Sequence, residues 1–192
     1  MVTNVLLTGV GGQGIITASG VLCQACRLAG WQVKKSEVHG MSQRGGSVES
    51  FVRFSPDGPV FSPLIPEGEA DIMLAFEPLE GLRQIRQTKP EAVVLVEKHP
   101  LVPVTVSTGP WQYPADVIER IRASGRKVTV VSAFAHAQEL GEPRAANTVM
   151  LGALSVRLDL PAEAWEQALR AGLKPKALDV NLKAFADGRA LT

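Results

Sequence analysis

Two glycine-rich stretches hold the residues best suited to chemistry in this sequence. The stretch His39-Gly40-Met41-Ser42-Gln43-Arg44-Gly45-Gly46 sets a histidine, a serine, a glutamine and an arginine between glycines. Polar groups on flexible backbone between regular elements are typical of functional loops. Arg44 offers a planar fork of donors for a carboxylate or phosphate. Ser42 and Gln43 add hydrogen-bonding side chains, and Gly45 and Gly46 add exposed backbone N–H groups. The other stretch, Gly9-Val10-Gly11-Gly12-Gln13-Gly14, satisfies G-x-G-x-x-G. Glycine permits a sharp turn and close backbone approach, and a helix starting at Gly14 favours an anion. Gly11, Gly12, Gln13 and Gly14 are therefore binding candidates beside Ser42, Gln43, Arg44, Gly45 and Gly46.

Three readings of the glycine turn stay open. It could hold a dinucleotide, with Glu37 as the ribose-binding acid roughly 20 residues on, although Lys34 and Lys35 blur any choice between NAD and NADP. It could be a tight turn needed only for packing. It could hold an anionic ligand that is not a dinucleotide. His39 is an acid or base by type, or a hydrogen-bonding residue at a strand end; His99 and His136 sit in no motif. Cys23 and Cys26 have the spacing of a redox pair or half a metal or iron–sulfur site. No second pair exists in the sequence, and both fall on the apolar side of a predicted helix, where cysteine acts as a small hydrophobe. With no nucleophile–base pair and no metal-ligand spacing, no catalytic or metal residue is assigned. The pattern reads as the ligand-binding part of an enzyme that is not a catalyst by itself.

The elements that must position these loops follow from periodicity. Asn4–Val10 is a buried strand, Ile15–Ala29 a helix stopped by Gly30, and Trp31–Val38 a second strand, together a βαβ unit of a parallel sheet. In an open sheet of this kind ligands sit at the carboxyl ends of the strands, so the two glycine loops should face one crevice. Ser47–Phe54 alternates as a half-buried strand, and the turn Ser55–Pro59 suggests a hairpin to Val60-Phe61. Ala70–Phe76, Ala92–Val96 and Lys127–Val131 are further strands, and Val102–Val106 a short edge strand. Helices are expected from Glu77 to about Gln87, near Ala115–Ser124, and at Ala133–Leu140. From about residue 145 the chain turns wholly helical: Ala145–Leu158 long and amphipathic, then Pro161–Leu169 and Lys174–Ala186. The expected fold is α/β: a Rossmann-like, mostly parallel sheet with helices on both faces, one antiparallel hairpin region and a helical C-terminal tail. Residues 1–192 are read as a single domain, with 145–192 packed on it.

The chain has 192 residues, 45% of them hydrophobic, and a net charge of +1. This supports a sizeable core and argues against disorder. Mixed charge gives no footprint for nucleic acid or a membrane surface. No apolar run approaches the roughly 18 residues that span a bilayer, and Met1-Val2-Thr3-Asn4 has no signal pattern, so a cytoplasmic location is expected.

Three motifs in order, Gly9–Ile15, Ser36–Val48 and Ser62–Asp71, with a fainter fourth at Asn147–Gly152, resemble the gamma domain of 2-oxoacid:ferredoxin oxidoreductases, the indolepyruvate-type members most of all. The resemblance implies a Rossmann-like layer packed on a catalytic subunit. It also implies a complex that decarboxylates a 2-oxoacid on thiamine diphosphate and magnesium, passes electrons through iron–sulfur clusters to ferredoxin, and forms an acyl-CoA. The thiamine and cluster sites would lie on partner subunits, and this chain would border the coenzyme A side. Indolepyruvate or another aryl 2-oxoacid is the implied substrate, with pyruvate, 2-oxoglutarate and branched-chain acids as alternatives. A free-standing nucleotide-binding protein is the competing reading. A homodimer would be an ordinary state for the chain in isolation.

Overall fold

The computed structural model describes residues 1–40, 45–102, 106, 108–110 and 112–192. Six strands form one sheet: β1 (Thr3–Val10), β2 (Gln32–His39), β3 (Ser47–Ser55), β4 (Ala70–Ala75), β5 (Thr88–Glu97) and β6 (Lys127–Val131). Their spatial order is β2-β3-β1-β4-β5-β6. β1, β4, β5 and β6 pair in parallel, whereas β3 runs antiparallel to both β1 and β2. Five of the six strands thus share one direction, as expected of a mostly parallel sheet.

The antiparallel region is not where the turn chemistry suggested. The hairpin joins β2 to β3 through the 40–46 loop, with Gln32 opposite Ser55 and His39 opposite Val48. Val60 and Phe61 are in no strand. Pro56, Pro59, Pro63 and Pro66 remove the N–H groups that a ladder there would need. The segment is instead tied down by Arg53, whose Nη1 donates to the carbonyls of Ser62 and Leu64, each at 3.0 Å. β3 is not half-buried either: it lies between two strands, and its apolar residues enter the cores on both faces of the sheet. Of the edge strand expected at Val102–Val106, residues 103–105 lie outside the described residues, and Val102 and Val106 are in no strand.

Helices cover both faces. On one, α1 (Ile15–Leu28), α4 (Ala133–Glu139), α5 (Ala146–Ser155), α6 (Ala162–Gly172) and α7 (Pro175–Ala190) enclose the larger core around Leu7, Leu22, Leu95, Leu154 and Trp165. On the other, α2 (Pro78–Arg83) and α3 (Val117–Ala123) cover Leu6, Phe51, Met73 and Ile121. α6 and α7 bury one stripe each, Ala164, Trp165, Ala168 and Leu169 in one and Asn181, Ala184, Phe185 and Gly188 in the other, the spacing of an amphipathic helix. α5 departs from its amphipathic expectation. Every residue from Thr148 to Ser155 is buried, because the sheet layer lies on one side and α7 on the other. Gly152 and Gly188 make that crossing possible: a Cβ on Gly152 would overlap the Phe185 carbonyl oxygen, and one on Gly188 the Val149 carbonyl oxygen.

Cys26 is part of the larger core and Cys23 packs against it. Burial pushes the Cys23 thiol up to about 11, and the Cys26 thiol is raised by the same cause. Both stay protonated and unreactive at neutral pH. No described helix is long and apolar enough to cross a membrane.

Candidate functional site

The glycine turn is built around Gln13. Its Oε1 accepts the Val10 N–H at 2.8 Å, and its Nε2 donates to the Phe76 carbonyl at 2.8 Å. The side chain therefore bolts the end of β1 to the end of β4. Gly9 follows from this bolt, since a Cβ there would lie 2.7 Å from Gln13 Oε1. Gly12 and Gly14 have φ of +107° and +79°, a region that glycine enters without strain. Gly14 caps α1 through its backbone, and no side chain caps the helix start. Asn147 Nδ2 reaches the Gly14 carbonyl at 3.4 Å.

The two glycine loops meet through their backbones. Gly11 N donates to Gly46 O at 2.8 Å, and Gly45 N donates to Gly11 O at 3.4 Å. Gly11, Gly12, Gln13, Gly14, Gly45 and Gly46 are thus brought together at one edge of the sheet. Ser42, Gln43 and Arg44 lie outside the described residues. His39 is about half exposed, with Glu37 Oε2 at 3.7 Å from its Nε2.

Strand order reverses between the parallel neighbours β1 and β4: from β1 the connections run toward β2 and β3, from β4 toward β5 and β6. Ligands of open α/β sheets bind in the crevice at such a point. A cleft of about 530 Å³ opens there, lined by Gly11 to Gly14, Phe76, Glu97, His99 and Phe134 among others. Arg144 and Asn147 also line it. The Arg144 fork is already occupied by Glu142, with Nε–Oε1 and Nη2–Oε2 both at 2.8 Å. Arg144 holds the Glu142 carboxyl down to about 2.

Sequence reading gave no role to Glu97, His99 and Phe134, yet one interaction joins all three. Glu97 is 4% exposed. Its Oε1 accepts the His99 N–H at 2.8 Å and its Oε2 the Phe134 N–H at 3.0 Å. Burial raises its carboxyl pKa, opposed by the backbone N–H groups of His99 and Phe134. The His99 and Phe134 rings stack with centroids 4.2 Å apart and planes 15° from parallel. One signal was present in the sequence: an acid closing the apolar run Ala92–Val96 at the carboxyl end of a predicted strand.

The dinucleotide reading loses its acid. β3 separates β2 from β1, so Glu37, level with Leu7 across Ser50, stands two strand spacings from β1, roughly 10 Å, and farther from the glycine turn. It is also engaged by Lys35 Nζ at 2.6 Å.

A second polar cluster lies under α2. Tyr113 donates to Glu77 Oε1 at 2.6 Å, Ser47 Oγ donates to Glu80 Oε2 at 2.7 Å, and Gln84 Nε2 donates to Glu49. Burial, then the Glu80 charge, raises the Glu49 carboxyl pKa. The Ser47 and Glu49 bonds anchor the start of β3 to α2 and its end. Among the described residues, no group of three or more His, Cys, Asp or Glu side chains could hold a metal ion.

The family model described as pyruvate ferredoxin/flavodoxin oxidoreductase matches residues 4–191. The chain belongs to this family. It is 43% identical to the indolepyruvate oxidoreductase subunit IorB of Pyrococcus horikoshii, over 95% of this chain and 92% of that one. It is 42% identical to the subunit of the same name from Thermococcus kodakarensis, over 96% and 93%. The crystal structure of a keto/oxoacid ferredoxin oxidoreductase gamma subunit from Geobacter sulfurreducens shares the fold, with TM-score 0.72, 24% identity and 98% and 97% coverage. The family match begins within β1 and ends just beyond α7.

Proposed function

We propose that this chain is a non-autonomous subunit of a cytoplasmic, thiamine-diphosphate-dependent 2-oxoacid:ferredoxin oxidoreductase whose substrate is indolepyruvate or another aryl 2-oxoacid. The products would be an acyl-CoA, carbon dioxide and reduced ferredoxin. Near-full-length identity above 40% to two subunits named for indolepyruvate carries this reading. The absence of a nucleophile–base pair in the sequence supports dependence on a partner.

The donor set does not suit a four-cysteine cluster: the chain has two cysteines, and both are buried or packed against the core. Iron–sulfur clusters, thiamine diphosphate and its magnesium belong on the catalytic partner, and ferredoxin meets this chain only through that partner. Coenzyme A supplies the thiol that accepts the acyl group. Gly12 and Gly14, at the start of α1 that no side chain caps, suit an anionic part of such a ligand, and Gln13 holds the turn that presents them. From the sequence, Ser42, Gln43, Arg44, Gly45 and Gly46 are proposed as further binding residues. In isolation the exposed Phe61 and Leu64 favour self-association, such as a homodimer.

Reconstitution tests the reading. Mixed with a thiamine- and cluster-bearing partner chain, this protein should restore acyl-CoA formation from indolepyruvate, and neither chain should turn over alone. Full activity of the partner without it would overturn the proposal. Calorimetric titration with NAD and NADP should show no binding, against a free-standing dinucleotide protein.

A further inference from the structure

We infer that the stacked His99–Phe134 pair is a platform for a planar aromatic ring that carries an anionic group, and that Glu97 is the positioning residue that holds the platform flat. The inference rests on the reading of this cleft as a ligand site. Three observations carry it. The rings face each other at 4.2 Å and 15°, and both border the cleft. Phe134 is half-buried and His99 exposed, so ring surface remains open to an incoming ligand. Offset stacking of one more ring on such a pair is the favoured aromatic geometry. The glycine turn that lines the same cleft offers the start of a helix to the anion.

Glu97 does what no local element could do. His99 follows β5 and Phe134 lies in the first turn of α4, 35 residues later. One buried carboxylate receives a backbone N–H from each, on separate oxygens. Stacking two rings that far apart in sequence requires the two backbones to be held in register, and this clamp supplies it.

Two sources of such a ligand are separable by experiment: the aryl 2-oxoacid itself, or an adenine nucleotide. The full chain is titrated calorimetrically with indole-3-pyruvate, with ADP, and with pyruvate as a ring-free anion. The parent should bind at least one ring-bearing probe tenfold or more tightly than pyruvate, and the probe that does so identifies the source. Phe134→Leu keeps the apolar volume and removes the ring, so it should abolish that preference. Glu97→Ala should do the same through disorder of the platform. Glu97→Gln, whose single carbonyl oxygen can accept one of the two N–H groups, should fall between. Melting curves confirm that each variant is folded. No preference for a ring in the parent, or a preference unchanged in Phe134→Leu and Glu97→Ala, would overturn the inference. Failure of reconstitution would not, because the titration needs no partner.

Discussion

Gln13 looks like a ligand-binding residue by position, yet both ends of its amide are spent within the protein. Replacing it with methionine keeps the length and leaves the buried Val10 N–H and Phe76 carbonyl unpaired. Each such loss costs about 1–3 kcal/mol, so Gln13→Met should destabilise the chain by about 2–6 kcal/mol in urea titration. Cys23 gives an opposite kind of test. A thiol raised to about 11 should react with maleimides roughly two orders of magnitude more slowly than free cysteine, whose pKa is about 8.5, and should speed up in denaturant. The glycine motif and the apolar setting of the cysteines were legible because they depend on neighbours in the chain. Glu97, His99 and Phe134 were not, because their relation depends on a strand end and a helix start meeting in space.

Elements were read well where periodicity was local and poorly where burial came from two sides. β6 and the start of α4 fall where the sequence puts them. α5 was misjudged as amphipathic because α7 covers the side that a single layer would leave to solvent. Its crossing makes Gly152 sensitive: Gly152→Ala forces α5 and α7 apart. Overpacking of this kind costs about 1–3 kcal/mol, and about 2–4 °C per kcal/mol is expected at this chain length, measurable by calorimetry. α4 and α7 are also joined electrostatically. Asp187 accepts from Lys183 at 2.8 Å and meets His136 Nε2 at 2.9 Å. The Lys183 hydrogen bond, then that of His136, holds its carboxyl below the usual range. A lowered folded pKa means stability that is present above the unfolded value, near 3.9, and lost as pH falls through the folded one. Asp187→Asn should therefore lower the melting temperature at pH 7 and make no difference near pH 2. The effect should be small, about 0.5–1 kcal/mol, as for a surface pair.

At the scale of the molecule, the mostly parallel sheet with helices on both faces was legible from alternating strand and helix signals. The place of β3 was not, since strand order is a matter of long-range pairing. That one insertion separates this chain from a dinucleotide-binding arrangement, by moving Glu37 away from the glycine turn. The packing of α7 over α5 has a consequence for synthesis. The side of α5 that faces away from the sheet, within a run of eight successive buried residues, has no cover until the helix ending at Ala190 has left the ribosome. A chain stopped after Gly172 would carry an open hydrophobic seam beside an otherwise complete sheet. Such a product should be bound by holdase chaperones or degraded, and should not accumulate as a smaller working subunit. The protein is in that sense assembled from its far end inward, with the closing helix as the checkpoint for everything before it.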